Sequence, residues 1–222
     1  MKNLPRSKSN ILLAGGLIFV LSTVLLACAG SGESEEAGVA LPEGCEAVDA
    51  PAPKKVALKA PDKPLSGPTN AVVSTSCGDF TIALDIERAP KTSASFAYLA
   101  SEGAYDDTPI HRIEPGFVIQ GGDPSGDGSG GPGYSVVEAP PKDLKYLQGV
   151  VAMAKTGTEA AGTSGSQFFV VTAQDAQLPP DYALLGEVVS GLDVVLRIEE
   201  LGQPGGTPRA PVVIESVTTS AG

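Results

Sequence analysis

Residues Pro109–Asp123 read PIHRIEPGFVIQGGD. Two short runs rich in β-branched and aromatic residues, Ile110–Ile113 and Phe117–Gln120, read as strands. Strand alternation sends His111 and Ile113 to one face and Arg112 to the other. In the second run Phe117 and Ile119 share a side, and Val118 and Gln120 take the opposite one. His111 is the only histidine in the chain. With Ile113 facing a core, His111 reads as a packed, hydrogen-bonded residue rather than a catalyst. Arg112 then stands near aromatic, apolar and amide groups, a set suited to a peptide carbonyl beside an apolar ring. From this stretch alone, an arginine paired with one of the many acidic residues is the plainer reading.

Working outward, similar runs predict strands at Ala71–Ser76, Phe80–Asp85, Gly149–Ala154, Gln167–Thr172, Leu184–Val189 and Val212–Thr218. Two helices interrupt them. One covers Lys91–Ser101, with Pro90 at its start and Gly103 behind it. The other covers Leu192–Leu201, with Val195, Ile198 and Leu201 on its apolar face. Many short strands and two isolated helices predict a mainly β domain, a closed sheet capped at its ends. Residues 69–222 are expected to form that domain. Ahead of it, prolines recur at 42, 51, 53, 61, 64 and 68, which predicts an extended, semi-rigid arm pinned by Cys45. Gly30–Gly38, GSGESEEAG, reads as a flexible acidic tether.

The first 27 residues set the compartment. Lys2, Arg6 and Lys8 precede an uncharged run, Ile11–Ala27, that ends in Leu25-Leu26-Ala27-Cys28. A basic start, an apolar stretch and a small residue at the cut read as a secretory signal. The cysteine just after the cut resembles a bacterial lipobox, whose cysteine is acylated, with palmitate for example, and becomes the new N-terminus. The alternative is an uncleaved anchor helix, but an anchor would not need that ending. Cys28 is therefore expected to carry a lipid that tethers an extracytoplasmic protein to the membrane of the cell envelope. Cys45 and Cys77 remain; in an oxidising compartment an even pair is expected to form a disulfide, the alternative being two free thiols.

Composition closes other routes. A formal charge of −11 argues against binding nucleic-acid backbones. One histidine and no tryptophan leave few ligands for a zinc or haem site. Gly121–Gly133, GGDPSGDGSGGPG, contains a GxGxxG pattern, but Pro132 and Gly133 follow where a dinucleotide site needs a helix. Its Asp123-Ser125-Asp127 spacing mimics a calcium loop whose twelfth position should be Glu and is Tyr134. A surface loop beside a binding groove is the better account. Thr163-Ser164-Gly165-Ser166 lacks the GxSxG elbow of a serine hydrolase.

A second cluster changes the weight given to Arg112. Gly149–Thr156 reads GVVAMAKT and Gly165–Thr172 reads GSQFFVVT. Together with Ala89-Pro90-Lys91-Thr92, HRIEPGFVIQGGD, GSGG and LLGEVVSGLDVV, in that order along the chain, they resemble the cyclophilin family of peptidyl-prolyl cis-trans isomerases. The resemblance covers nearly all of residues 69–222. It implies a closed eight-stranded antiparallel barrel capped by two helices. It implies a catalytic site of Arg112, Phe117 and Gln120, and a proline pocket with Val118 and Phe169 on its floor and Leu178 and Leu185 on its walls. Gln120 and Gln167 would bond the substrate backbone, Ala154, Lys155 and Thr156 would form the rim, and Tyr182 stands where many eukaryotic members have histidine. The implied partners are proline-containing segments of unfolded or exported proteins, with no metal, nucleotide or other cofactor, and a monomer suffices.

Besides Tyr182, two further departures from the pattern of many family members stand out. Gln177 replaces an aromatic residue, and Lys155 replaces an asparagine and is expected to favour acidic residues before proline. Two other classes compete. A non-catalytic module could use the same groove to hold proline-rich partners, and intact Arg112, Phe117, Gln120 and Phe169 favour the enzyme. A solute-binding lipoprotein would require the alternating βα pattern that this chain lacks.

Overall fold

The computed structural model describes residues 39–221. In chain order the elements are β1 Thr69–Thr75, β2 Gly78–Leu84, α1 Pro90–Ser101, β3 Thr108–Pro109, β4 Arg112–Glu114, β5 Val118–Gly121, β6 Val136–Val137, β7 Val150–Met153, β8 Thr163–Ser164, β9 Phe168–Val171, β10 Leu184–Ser190, α2 Leu192–Glu199 and β11 Val213–Ala221. Nine strands form one antiparallel sheet in the order β3-β11-β1-β2-β10-β7-β9-β5-β4, and β6 pairs with β8 apart from it. Both helices start and end close to where Pro90, Gly103 and the apolar spacing place them. The expected strands are present to within a few residues except one.

That exception corrects the expected architecture. The sheet is a strongly curled half-barrel of nine strands, not a closed eight-stranded barrel. The run Ile110–Ile113, expected as one strand, is split. Thr108–Pro109 pairs with β11, while Arg112–Glu114 pairs with β5, so the two pieces lie at opposite edges of the sheet. Pro109 has no N–H to continue a ladder. The Ile110 N–H goes to Val212 O (2.8 Å) and the Ile113 N–H to Gly206 O (2.7 Å), one to each side of the gap. Ile110, Ile113 and Ile214 belong to the same buried cluster, so apolar packing closes the curl where the hydrogen-bond ladder does not. The β6–β8 pair, two residues each, is too short to carry a period and was not foreseen from the sequence.

The sheet has two apolar faces. Its concave side holds the main core, with Phe80, Ile82, Phe96, Leu99, Ile119 and Leu185 among its members. Phe96, Tyr105 and Phe168 meet there at ring-centroid distances of 4.8–5.9 Å. The other side carries a smaller cluster of Val118, Tyr146, Ala152, Phe169 and Val171. Strand alternation explains the division: Ile119 and Phe168 face in, while Val118 and Phe169 face out.

Residues 39–68 form no helix and enter a strand only in the following segment, yet Leu41, Cys45, Val56, Leu58 and Leu65 pack against the main core. A disulfide joins Cys45 to Cys77 across a separation of 32 residues, and the Glu46 N–H donates to Ser76 O (2.7 Å) beside it. No helix among the described residues is long and apolar enough to cross a membrane; the signal and Cys28 lie outside the described residues. Closing a loop of this length stabilises a fold by roughly 3–4 kcal/mol in the chain-entropy account. The Cys45→Ser, Cys77→Ser double variant should therefore lose stability on that order in urea unfolding, and an unchanged midpoint would contradict it.

Candidate active site

The site grows from the β4–β5 hairpin. Its turn is Glu114-Pro115-Gly116-Phe117, with Gly116 at φ 71° and the Phe117 N–H donating to Glu114 O (3.0 Å). Proline followed by a glycine with positive φ is the composition of a type II turn. The turn sets the register Arg112↔Gln120, Ile113↔Ile119, Glu114↔Val118. The next strands continue the row: Gln120 opposes Phe169, and Phe169 opposes Ala152. Arg112, Gln120, Phe169 and Ala152 thus stand side by side across four strands, on the face away from the main core. Phe117 lies just outside its strand and folds back so that its ring centroid is 5.7 Å from the Arg112 guanidinium carbon.

These residues border a cavity of about 150 Å³ lined by Arg112, Phe117, Val118, Gln120, Ala154, Lys155, Phe169, Leu178 and Tyr182. The floor is the outer apolar cluster; Arg112 and Gln120 supply the polar edge. A larger trough of about 850 Å³ adjoins it, reaching along Gly128–Ser135, Ala154–Thr156 and Gly165–Gln167. Thr156 and Gln167 lie in this trough rather than in the small cavity. Leu185 lies in neither. It is fully buried in the main core, because the pairing Leu184↔Ala152 gives the outer face of the sheet to residue 184 and turns its neighbour inward. The expected wall position for Leu185 is corrected accordingly. Gln177 is exposed and does not line the cavity, so no side chain there supplies the contact an aromatic residue would give.

One chain of hydrogen bonds runs through the polar edge, and its ends determine its direction. Gln167 Nε2 lies 2.9 Å from both Gly128 O and Gly130 O. Two carbonyls can only accept, so the amide nitrogen must face them and Gln167 Oε1 must face Gln120, whose Nε2 is 3.0 Å away. At the other end Arg112 Nη1 lies 3.5 Å from Gln120 Oε1. A guanidinium can only donate, so the same orientation of Gln120 is required from that side. Both amide nitrogens are committed as donors; toward a peptide these two glutamines have oxygen lone pairs to offer. Asp123 is fully buried and accepts from the N–H groups of Ser125 and Gly128, which folds the glycine loop so that its carbonyls face Gln167.

Sequence reasoning undervalued two neighbours of this chain. His111 Nε2 lies 3.4 Å from Gln120 Nε2. Since that nitrogen donates, the neutral imidazole must accept there. His111 is thus half-buried at the end of the network rather than packed with Ile113 in the core. Tyr146 is fully buried, donates from its hydroxyl to Tyr182 O (2.6 Å) and accepts from the Tyr182 N–H (3.0 Å). Burial pushes its phenol up to about 12. It fixes the backbone of Tyr182, whose ring meets Phe169 edge-on at 5.4 Å. No motif marks Tyr146; only its place in the outer cluster reveals it.

Lys155 does not stand free at the rim. Its side chain is 4% exposed and its Nζ is 2.6 Å from Asp181 Oδ2, with bonds to Thr156 O and Glu159 O. Such an ion pair ties Lys155 to the segment that carries Tyr182, so the expected preference for acidic residues before proline finds no free cation at this position. The Thr156 N–H and hydroxyl bond Glu159 Oε2 at 2.6 and 2.8 Å and hold that carboxyl below its ordinary range. Arg112 is the exposed cation: its side chain is 39% accessible, and Glu114 reaches it only at 3.6 Å, a weak surface contact.

A curled antiparallel sheet with two helices and an outer groove holding one arginine beside a small apolar pocket defines a peptide-groove protein. Residues 71–219 match the family described as cyclophilin type peptidyl-prolyl cis-trans isomerase. Peptidyl-prolyl cis-trans isomerase A of Mycobacterium tuberculosis is 38% identical over 178 residues, covering 72% of this chain and 96% of that protein. Peptidyl-prolyl cis-trans isomerase-like 1 of Aspergillus fumigatus is 40% identical over 134 residues, covering 59% of this chain and 81% of that protein. A crystal structure of a Cryptosporidium parvum cyclophilin type isomerase in the presence of the dipeptide Ala-Pro superposes with a TM-score of 0.64 at 28% identity, over 69% of this chain and 99% of that one. The chain belongs to the cyclophilin-type peptidyl-prolyl cis-trans isomerase family, a family of rotamases.

The network makes a pH prediction. Burial, the largest cause, lowers the His111 pKa; Arg112 lowers it further, while Asp123, Asp127 and the Pro109 backbone oppose this. The unfolded chain takes up the proton first as pH falls through about 6.5, so this group's contribution to stability is present above that range and declines below it. Once protonated in the folded chain, Nε2 becomes a donor facing the Gln120 donor. The kcat/KM for an X–Pro peptide should stay flat at neutral pH and fall on the acid side of the ordinary histidine range. In His111→Gln, which keeps an acceptor but does not titrate, that acid limb should vanish; an identical profile in both proteins would contradict it.

Proposed function

We propose that the chain accelerates X–Pro isomerisation in proteins exported to the cell envelope, with Arg112 stabilising the twisted imide over an apolar proline pocket. The observation that carries this reading is the juxtaposition of one exposed guanidinium with the small cavity floored by Val118 and Phe169. Rotation about an X–Pro bond faces a barrier of about 18–20 kcal/mol because the amide loses resonance as it twists. In the twisted state the proline nitrogen becomes pyramidal and gains a lone pair that accepts a hydrogen bond. A guanidinium at that nitrogen favours the twisted state over either planar one, which is differential binding of the transition state.

Each residue has a part in this. Phe117, Val118, Phe169, Leu178 and Tyr182 exclude water around the pyrrolidine ring, which strengthens the arginine's field. Gln120 aims the guanidinium through Nη1, leaving its other N–H groups for the imide. Gln167, Ala154, Lys155 and Thr156 border the trough in which the residues before proline would lie. Each tenfold in rate needs only about 1.4 kcal/mol, so one charge-assisted hydrogen bond formed in the twisted state accounts for a large acceleration. The Ala-Pro dipeptide with which the Cryptosporidium relative was crystallised is a ligand of the class this pocket suits.

The envelope location rests on the sequence: the basic start, the Leu-Leu-Ala-Cys ending at Cys28 and the acidic tether. Unfolded chains hold roughly 10–30% cis at X–Pro bonds and relax over tens of seconds or longer, so exported proteins folding at the membrane are a natural substrate class. The test is exchange NMR on a short X–Pro peptide with the full chain in detergent beside Arg112→Ala. Acceleration by the wild type that drops by about a hundredfold or more in the variant is expected, the scale of losing one transition-state donor. Equal acceleration by both proteins would overturn the role of Arg112.

A further inference from the structure

We propose that residues 54–58 of the proline-rich arm are positioning residues for the active-site arginine. They grip the outer side of the glycine loop whose inner side orients Gln167, Gln120 and Arg112. The proposal rests on the reading of Arg112 as the catalytic group.

The arm touches the loop at two points that bracket its working part. The Lys54 N–H donates to Pro124 O (2.8 Å) and the Leu58 N–H to Pro132 O (2.8 Å); between those two carbonyls lie Gly128 and Gly130, the acceptors for Gln167. Lys54, Val56 and Leu58 are half-buried while Lys55, Ala57 and Lys59 are exposed, the period of an extended strand. Four residues of extended chain span about 13 Å, so the two donors act as a ruler that fixes the distance between the ends of the loop. The ruler is itself held. Lys54 Nζ donates to the carbonyls of Gly103 and Asp106, and the Cys45–Cys77 disulfide anchors the arm upstream. Contact is close to the limit of backbone approach: a Cβ at Gly133, whose φ is 87°, would stand 3.2 Å from Ala57 Cα.

Such a clamp has a physical reason. Glycines lose the most conformational freedom on ordering, and the loop contains GSGGPG at its far end. Asp123 folds its near end by accepting from Ser125 and Gly128, and Gly130 packs against the Asp123 carboxylate without a hydrogen bond to it, so its carbonyl is set by the loop backbone that the arm grips. If the loop carbonyls drift, Gln167 loses the acceptors that set its amide orientation. Gln167 can then turn its amide nitrogen toward Gln120 Nε2, donor against donor, and Gln120 loses the acceptor that holds it in place beside the guanidinium. The arm does not obstruct the groove; none of its residues lines either cavity there.

The test uses the full chain in detergent with Leu58→Pro and Lys54→Pro, each of which deletes one donor to the loop. Lys59→Pro is the control, adding a proline one residue beyond the clamp. Readouts are kcat and KM for an X–Pro peptide and the side-chain amide 15N resonances of Gln120 and Gln167. Either donor deletion should lower kcat by about tenfold, the scale of a loosened positioning shell, with those amide signals shifted or broadened. Lys59→Pro should keep wild-type values. Wild-type kcat and amide signals in both Leu58→Pro and Lys54→Pro would overturn the proposal, as would an equal loss in Lys59→Pro. Arg112→Ala, measured alongside, separates the two readings: full activity there overturns both, whereas its loss with intact arm variants overturns the clamp alone.

Discussion

The orientation of one side-chain amide, that of Gln120, is the constraint on which the site depends. Gln120 stands between a guanidinium that can only donate and a glutamine whose own nitrogen is committed to two backbone carbonyls. Neither neighbour permits a flip without placing donor against donor or acceptor against acceptor. That polarity is imposed from the glycine loop on one side and from Arg112 on the other, so the arginine is aimed by a relay of fixed dipoles before any peptide arrives. Preorganisation of this kind is what electrostatic stabilisation of a twisted imide needs, since no reorganisation remains at the moment of reaction.

The sheet makes the relay possible by burying both of its faces. The concave side is filled by the main core, with α1 and α2 contributing Phe96, Leu99, Val195 and Ile198. The outer side keeps a second, smaller apolar cluster, and the groove is the part of that cluster left uncovered. Arg112, Gln120, Phe169 and Ala152 share a row because strand pairing puts them there. A slip of one residue in the β4–β5 hairpin would send Arg112 into the core. The Pro115-Gly116 turn that fixes this register is therefore as much a part of the site as the arginine.

Much of this was legible in the sequence, because the signals involved are local. Pro90 and Gly103 bound α1; alternation in Phe80–Asp85 and Phe117–Gln120 gives strands; the order of the motifs around Arg112, Lys155 and Phe169 points to the family. What escaped depends on contacts distant along the chain. The curl is not a closed barrel because Pro109 interrupts one strand, and a tertiary contact with Gly206 takes up the Ile113 N–H. Leu185 and Leu184 are alike in composition, and only the pairing with Ala152 decides which takes the outer face of the sheet. Lys155 looked like a free cation because Asp181, its partner, is distant along the chain. His111 was placed in the core by extending alternation through a strand that ends before it.

The central claim is that Arg112 acts on the twisted imide and contributes little to holding the planar peptide, which the apolar floor and the trough retain. The most direct measurement is the dissociation constant of an X–Pro peptide for the wild-type chain and for Arg112→Ala, by calorimetry, set beside their isomerisation rates. The account predicts affinities within about threefold of each other while the rate is largely lost, the signature of an interaction made only in the transition state. A loss of affinity as large as the loss of rate would contradict it and make Arg112 a ground-state anchor.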